Sequence, residues 1–249
     1  MLVSNKARSN KELLHRVLKL HNFFKEGKIP TLPQHEVNPG LVNSSRENYL
    51  YFTLPPCLNF QRSSPAMWTS ALKTYLDPET NYLFFPEKVV KKRREKVQKD
   101  LVKHKLALQK NKHTDIWISI SKAFHDLFND DPRALLASGN WDVVQIHNII
   151  QKEQKTRFPY LSGPKMANYW LYILTCYTDA KFKNMGNVSI IPDTHVQQCS
   201  IKLGLTSEKD GPNEVSRRWN ELLDSSNISP VEMHPVLWNW SRNNFIPEV

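Results

Sequence analysis

Apolar residues recur at helical spacing along nearly the whole of this chain, a periodicity that speaks for helices rather than strands. Residues 9–25 open on a Ser-Asn start signal and set Leu13, Leu14, Val17, Leu18 and Phe23 on one side. A Ser-Pro opening begins another stripe through Met67, Ala71 and Leu72. Further helices are predicted at 114–128, 141–155 and 164–178, the second with Asn140 as its cap. Two more, near 212–225 and 229–243, carry Pro212 and Pro230 in the first turn, where a missing N–H costs nothing. Only 7 of the 249 residues are glycine, which disfavours glycine-rich nucleotide folds and turn-rich β architectures. The spacing predicts an all-α chain of two lobes, with a cleft between the early and late helices.

The interruptions suggest the organisation. Residues 28–45 are proline-rich and loop-like, and Pro55-Pro56 breaks the apolar run ENYLYFTLPPCLNFQ. We therefore expect an N-terminal helix and connector over 1–45, a helical domain over 46–243 and a short tail over 244–249. A chain of this length, 40% hydrophobic and 10% aromatic, can bury a sizeable core.

Charge is unevenly placed. Residues 88–112 hold nine lysines and two arginines against Glu95 and Asp100, so this segment carries +9 of the chain's +10. Its apolar residues Val90, Val97, Leu101 and Leu108 form a narrow line, which predicts one long surface helix. Such a block points to a polyanion-facing element, with Lys91, Lys92 and Arg93 as the candidate contacts.

Cys57, Cys176 and Cys199 are too scattered for a metal site or a disulfide framework, so they are expected as reduced core thiols. No apolar run approaches a membrane span, and MLVSNKARSNKELL lacks the apolar stretch of a secretory signal. The expectation is an intracellular monomer with no cofactor and no metal.

The chemistry-bearing residues fall in two stretches. In RFPYLSGPKMANYWLYIL, a turn at Ser162-Gly163-Pro164 leads into a helix with Lys165 in its first turn. A cation is disfavoured at that positive end of the helix dipole, a setting that suits a nucleophilic amine. In SIIPDTHVQQCSIKLGL, Asp193 stands at the mouth of a helix that closes on Gly204. An aspartate there is most often a cap, although one carboxylate can cap and also do chemistry.

Taken together, LSGPKMANYWL and IPDTHVQQCSIKLGL resemble the helix-hairpin-helix DNA glycosylases of the endonuclease III superfamily. The hairpin spans 158–175 and the aspartate motif 190–205. Weaker likenesses lie in CLNFQRSSPAMW and MHPVLWNWSR, so the resemblance touches most of residues 46–243. Two features depart from endonuclease III. Gly163 stands alone where relatives place two glycines whose amides grip a phosphate, and no four-cysteine iron–sulfur loop follows Cys199. In both respects the chain looks more like the archaeal-type 8-oxoguanine glycosylases.

The resemblance implies a repair enzyme that flips a damaged base, an oxidised purine such as 8-oxoguanine, out of double-stranded DNA. It implies Lys165 as the nucleophile that forms a Schiff base and Asp193 as the carboxylate that stabilises the cationic sugar, with lyase activity following. It also implies Gln61 as the residue filling the vacated stack, with Arg62, Gly163 and His195 at the DNA and Trp68, Trp170 and Trp238 as faces for the extruded base. Taken alone, His195 is more often a hydrogen-bonded structural histidine, and a tryptophan stripe is more often core. Two other functions fit the same residues: an N-glycosidase acting on a free nucleotide or an RNA base, and a nucleic-acid-binding domain with no catalysis.

Overall fold

The computed structural model describes residues 2–31, 38–59 and 62–249. Among them there is no strand, only an isolated bridge between Asp142 and Lys183, so the all-α expectation holds. The chain divides into two compact units. One, here the terminal unit, comprises Met1–Pro33 and Met185–Val249; the other, the inserted unit, is Gln34–Asn184.

The terminal unit is built from α1 (Leu2–Lys25), α10 (Thr194–Leu203), α11 (Pro212–Leu223) and α12 (Met233–Arg242). Val17 and Leu20 of α1 share one core with Val196, Cys199, Trp219, Val236, Leu237 and Trp240. Local signals set the ends of α10. Asp193 caps its start, and Gly204 closes it in the left-handed region at φ 78°. There the Gly204 amide donates to Ile201 and the Leu205 amide to Ser200, each at 2.9 Å, which satisfies the last carbonyls. The final residues are tied down: Trp240 Nε1 donates to the Pro247 carbonyl at 2.9 Å, and Arg16 Nε donates to that of Val249 at 3.2 Å.

The inserted unit runs through α2 (Arg46–Thr53), α3 (Ser64–Leu76), α4 (Pro86–Val89), α5 (Arg94–Lys103), α6 (Lys110–Leu127), α7 (Pro132–Ser138), α8 (Val143–Asn148) and α9 (Pro164–Tyr177). Its centre is aromatic: Tyr51 stacks on Phe84 at 5.5 Å and lies 5.8 Å from Trp68. Indole N–H groups buried here find acceptors, as they must. Trp117 donates to the Leu83 carbonyl at 2.9 Å and Trp170 to Thr53 Oγ1 at 3.0 Å.

Three expectations require correction. The segment 88–112 is not one helix but α4, a turn at 90–93, α5, and a second turn before α6. Val97 and Leu101 are buried as expected, whereas Leu108 is exposed. The break buries Leu106 and Ala107, which requires the chain to reverse at Lys105 with φ 58°. Hydrogen bonds hold the reversal: the Ala107 amide donates to Leu101 at 2.8 Å, and His104 Nε2 lies 2.6 Å from Asp77. The cap of α8 is Asp142, accepting from the Val144 amide at 2.8 Å, while Asn140 sits in a turn at φ 54°. Finally, Cys57 and Cys199 are buried but Cys176 is exposed. Burial pushes the Cys57 thiol up, and that of Cys199 up to about 12, so neither ionises readily.

Candidate functional site

Lys165 and Asp193 fall in different units, Lys165 in the inserted one and Asp193 in the terminal one. In the inserted unit, Phe158 and Leu161 are buried and anchor the turn before α9. The turn spends its amides internally: Leu161 donates to Pro159, Ser162 to Phe158 and Gly163 to Tyr160, at 2.9 to 3.0 Å. Gly163 caps α9 with an ordinary backbone, φ −68° and ψ 142°. A Cβ there would lie 3.2 Å from the Tyr160 carbonyl, so glycine lets the turn close. The Gly163 amide is therefore not presented to a phosphate, which corrects the role expected for it. Pro164 supplies no N–H, and Lys165 follows it in the first turn, exposed and in no ion pair among the described residues.

In the terminal unit the buried pair Ile190-Ile191 delivers the chain to Pro192 and then Asp193. One carboxylate oxygen, Oδ1, accepts from the Val196 amide at 2.9 Å and so caps α10. The other, Oδ2, lies 4.0 Å from Nε2 of His234 on α12. The carboxylate side chain is 27% exposed. A half-open carboxylate with one oxygen committed and the other facing an imidazole can stabilise a cation, which is the demand of glycosidic cleavage. His234 was not found from the sequence; its only local signal is the His-Pro pair opening the last helix.

His195 has a structural setting. Its Nδ1 lies 3.0 Å from Ser241 Oγ, and its ring meets Trp238 edge-on at 5.6 Å. Ser241 in turn donates to Gln198 Oε1 at 3.2 Å, and the Arg242 guanidinium sits 5.1 Å over the Trp238 ring. Trp238 keeps part of its ring exposed. Trp68 and Trp170 do not: both are 0% exposed, and both belong to the inserted unit's core. Trp68 Nε1 donates to Tyr169 Oη at 3.1 Å, as Trp170 does to Thr53. As folded, neither offers a face to a base, which corrects the expectation for these two.

Arg62 is also committed. Its guanidinium donates to the Leu106 carbonyl at 2.7 Å and pins the turn after α5, so it holds structure rather than reaching for DNA. Gln61 lies outside the described residues. Lys91, Lys92 and Arg93 are exposed on the turn between α4 and α5. A cavity of about 410 Å³ lies against α1 beside Leu18, Lys19, Phe23 and Glu26, and none of the expected site residues lines it. Among the described residues there is no cluster of three or more histidine, cysteine or acidic side chains that would hold a metal. Nor is any described helix long and apolar enough to cross a membrane.

No protein-family model matches the sequence. No curated protein matches it either. Among solved structures, the chain is similar to endonuclease III trapped on DNA as a covalent intermediate, in an estranged-adenine complex. The likeness covers 92% of this chain and 83% of that one, with a TM-score of 0.53 and 17% identity. At that identity it establishes the fold: this all-α chain folds as endonuclease III does.

Proposed function

We propose that this protein is a DNA glycosylase with lyase activity that removes an oxidised purine from double-stranded DNA. The observation that carries the reading is the Asp193 carboxylate: it opens α10 on an endonuclease III-like fold, with one oxygen capping the helix and the other left toward His234. The structural neighbour was captured covalently on DNA, and an exposed lysine in the first turn of α9 supplies a nucleophile for the same chemistry here.

The reaction follows from charge. Breaking the bond between C1′ and the base nitrogen leaves the sugar cationic, and Asp193 stabilises that charge. The Lys165 amine gives its lone pair to C1′ and sheds a proton, and the base departs with the bonding electrons and takes up a proton. Opening of the sugar ring gives an imine between Lys165 and C1′. Loss of a proton from C2′ then expels the 3′ phosphate. The purine preference is supported by the likeness of LSGPKMANYWL and the cysteine-free C-terminal stretch to the archaeal-type 8-oxoguanine enzymes.

Borohydride reduces the imine, so wild type should become covalently attached to a duplex carrying 8-oxoguanine. Lys165→Gln should abolish the adduct with folding unchanged. Wild type that never traps on any oxidised-base duplex overturns the lyase reading. A second reading is favoured by the hairpin amides being spent within the turn: an N-glycosidase for a free nucleotide or an RNA base that needs Asp193 but not Lys165. Base release that survives Lys165→Gln and stops in Asp193→Asn would select it. If Asp193→Asn leaves nucleic-acid binding intact and wild type releases no base, the domain is a binding module alone.

A further inference from the structure

The inserted unit carries a cationic ridge whose members the fold ties to one another. The turn between α4 and α5 exposes Lys91, Lys92 and Arg93 in succession. Arg94 opens α5 and bonds to the first two turns of α6, through Asp115 Oδ1 at 2.8 Å and the Asn111 carbonyl in the first turn at 3.4 Å. Gln98 adds a bond to Asn111 Oδ1 at 2.8 Å, so the start of α5 is fixed against the start of α6. That same turn of α6 carries Lys110 and Lys112, and Lys112 Nζ sits 5.1 Å over the ring of Tyr160. Tyr160 accepts the Gly163 amide in the turn that presents Lys165. A continuous line thus runs from the tip at 91–93, across the first turn of α6, to the hairpin.

Acid does not neutralise it. Asp100 is buried and paired with Lys96, and Lys103 is engaged by Asp77 and Glu79 away from the tip. Within residues 91–115 the acids besides the buried Asp100 are Glu95 and Asp115, against Lys91, Lys92, Arg93, Arg94, Lys110 and Lys112, and Asp115 is already bound to Arg94. Lys91 and Arg93 make no ion pair among the described residues. The geometry points to a phosphate track: this ridge binds the backbone of duplex DNA, independently of any lesion. A single strand fits less well, because single-strand grooves offer open rings for bases to stack on. Here Phe85, Tyr82 and Tyr160 are each covered by a lysine, Lys88 at 4.2 Å, Lys92 at 5.5 Å and Lys112 at 5.1 Å.

The track rests on the glycosylase reading only for its choice of polyanion, and its test uses undamaged DNA. Affinity for a short lesion-free duplex would be measured over a series of salt concentrations. The triple variant Lys91→Gln/Arg93→Gln/Lys112→Gln would be compared with Lys11→Gln/Lys25→Gln/Lys209→Gln, which removes equal charge from exposed sites on the terminal unit. Each lost phosphate contact lowers the slope of log K against log salt by about 0.9, so the track variant should lose about 2 to 3 units of slope and the control almost none. Equal slopes in both variants, no duplex binding by wild type, or tighter wild-type binding to the matching single strand would each overturn the track. Borohydride trapping on lesion DNA at low salt separates the two readings. If the slope falls as stated but wild type never traps, the track stands and the enzyme reading falls. If trapping persists and the slope does not move, the reverse holds.

Discussion

His234 Nε2 stands 4.0 Å from Oδ2 of Asp193, while the opposite oxygen of that carboxylate is fixed by the Val196 amide at 2.9 Å. The two groups come from different helices: the Val196 amide fixes one oxygen by a hydrogen bond, and the imidazole stands near the other without bonding to it. Replacing His234 with Phe keeps a ring in the space but removes the polar partner of Oδ2. The expected result is a roughly tenfold slower single-turnover base release, worth about 1.4 kcal/mol at the transition state, with DNA affinity unchanged. His234→Gln, which retains an N–H, should recover part of the rate. A Phe variant as fast as wild type would show that the histidine merely packs.

Asp193 has two duties that substitution can separate. Asn caps helices about as well as Asp, so Asp193→Asn should melt within about 0.5 kcal/mol of wild type, yet lose base release. Asp193→Ala removes the acceptor for the Val196 amide and should cost about 1 kcal/mol in addition. Calorimetry and a single-turnover assay on both variants give the comparison. Full activity in the Asn variant would leave only the cap.

The residues that could be read from the sequence are those whose geometry is local. Pro164, Pro212 and Pro230 each sit at a helix start, and Asp193 and Gly204 bound α10 as expected. What escaped is set by partners remote along the chain. The break in the basic segment depends on His104 meeting Asp77 and on burying Leu106. Nothing in the composition of that segment announces either. Trp68 and Trp238 are the same residue type, and only Tyr51, Phe52 and Tyr169 around the first distinguish core from surface. Arg62 reads as a DNA contact in the sequence, but its guanidinium donates to the Leu106 carbonyl, 44 residues along the chain. Helix α7 did have a local signal, the Asp131-Pro132 pair, with Asp131 accepting from the Arg133 amide at 2.9 Å.

Acid should destabilise this fold before its carboxylates titrate. Burial lowers the affinity of His21, His113 and His147 for protons in the folded chain. His113 is 1% exposed and its Nδ1 accepts the Leu108 amide at 3.2 Å, an interaction open only to the neutral ring. The unfolded chain, with ordinary histidines near 6.5, therefore binds more protons below that pH, and stability declines as pH falls through about 6.5. The carboxylates act lower. Lys103 and His104 hold Asp77 down, and Arg217 and Arg218 hold Glu214 down to about 2, so their contribution is lost only below about pH 4. Between pH 7.5 and 5 the histidines set the trend, and the melting temperature should drop steadily. A melting temperature that is flat or rising over that interval would contradict the burial argument.

The tryptophans supply the sharpest separation of core from surface. Trp68 and Trp170 are fully enclosed and each donates a hydrogen bond, so replacement by Phe both opens space and strands an acceptor. Each should cost about 2 to 3 kcal/mol of stability. With protein still folded at low temperature, the rate of base release should stay near wild type, because neither ring can reach a nucleotide from the core. Trp238 is the opposite case: part of its ring is exposed, with His195 at its edge and Arg242 over its face. Trp238→Ala should cost less stability than the core changes yet weaken binding to lesion duplex, by about 1 to 3 kcal/mol if the ring stacks on a base. Fluorescence melts paired with lesion-duplex titrations of the three variants would show it. Loss of lesion binding in folded Trp68→Phe, with none in Trp238→Ala, would reverse the assignment.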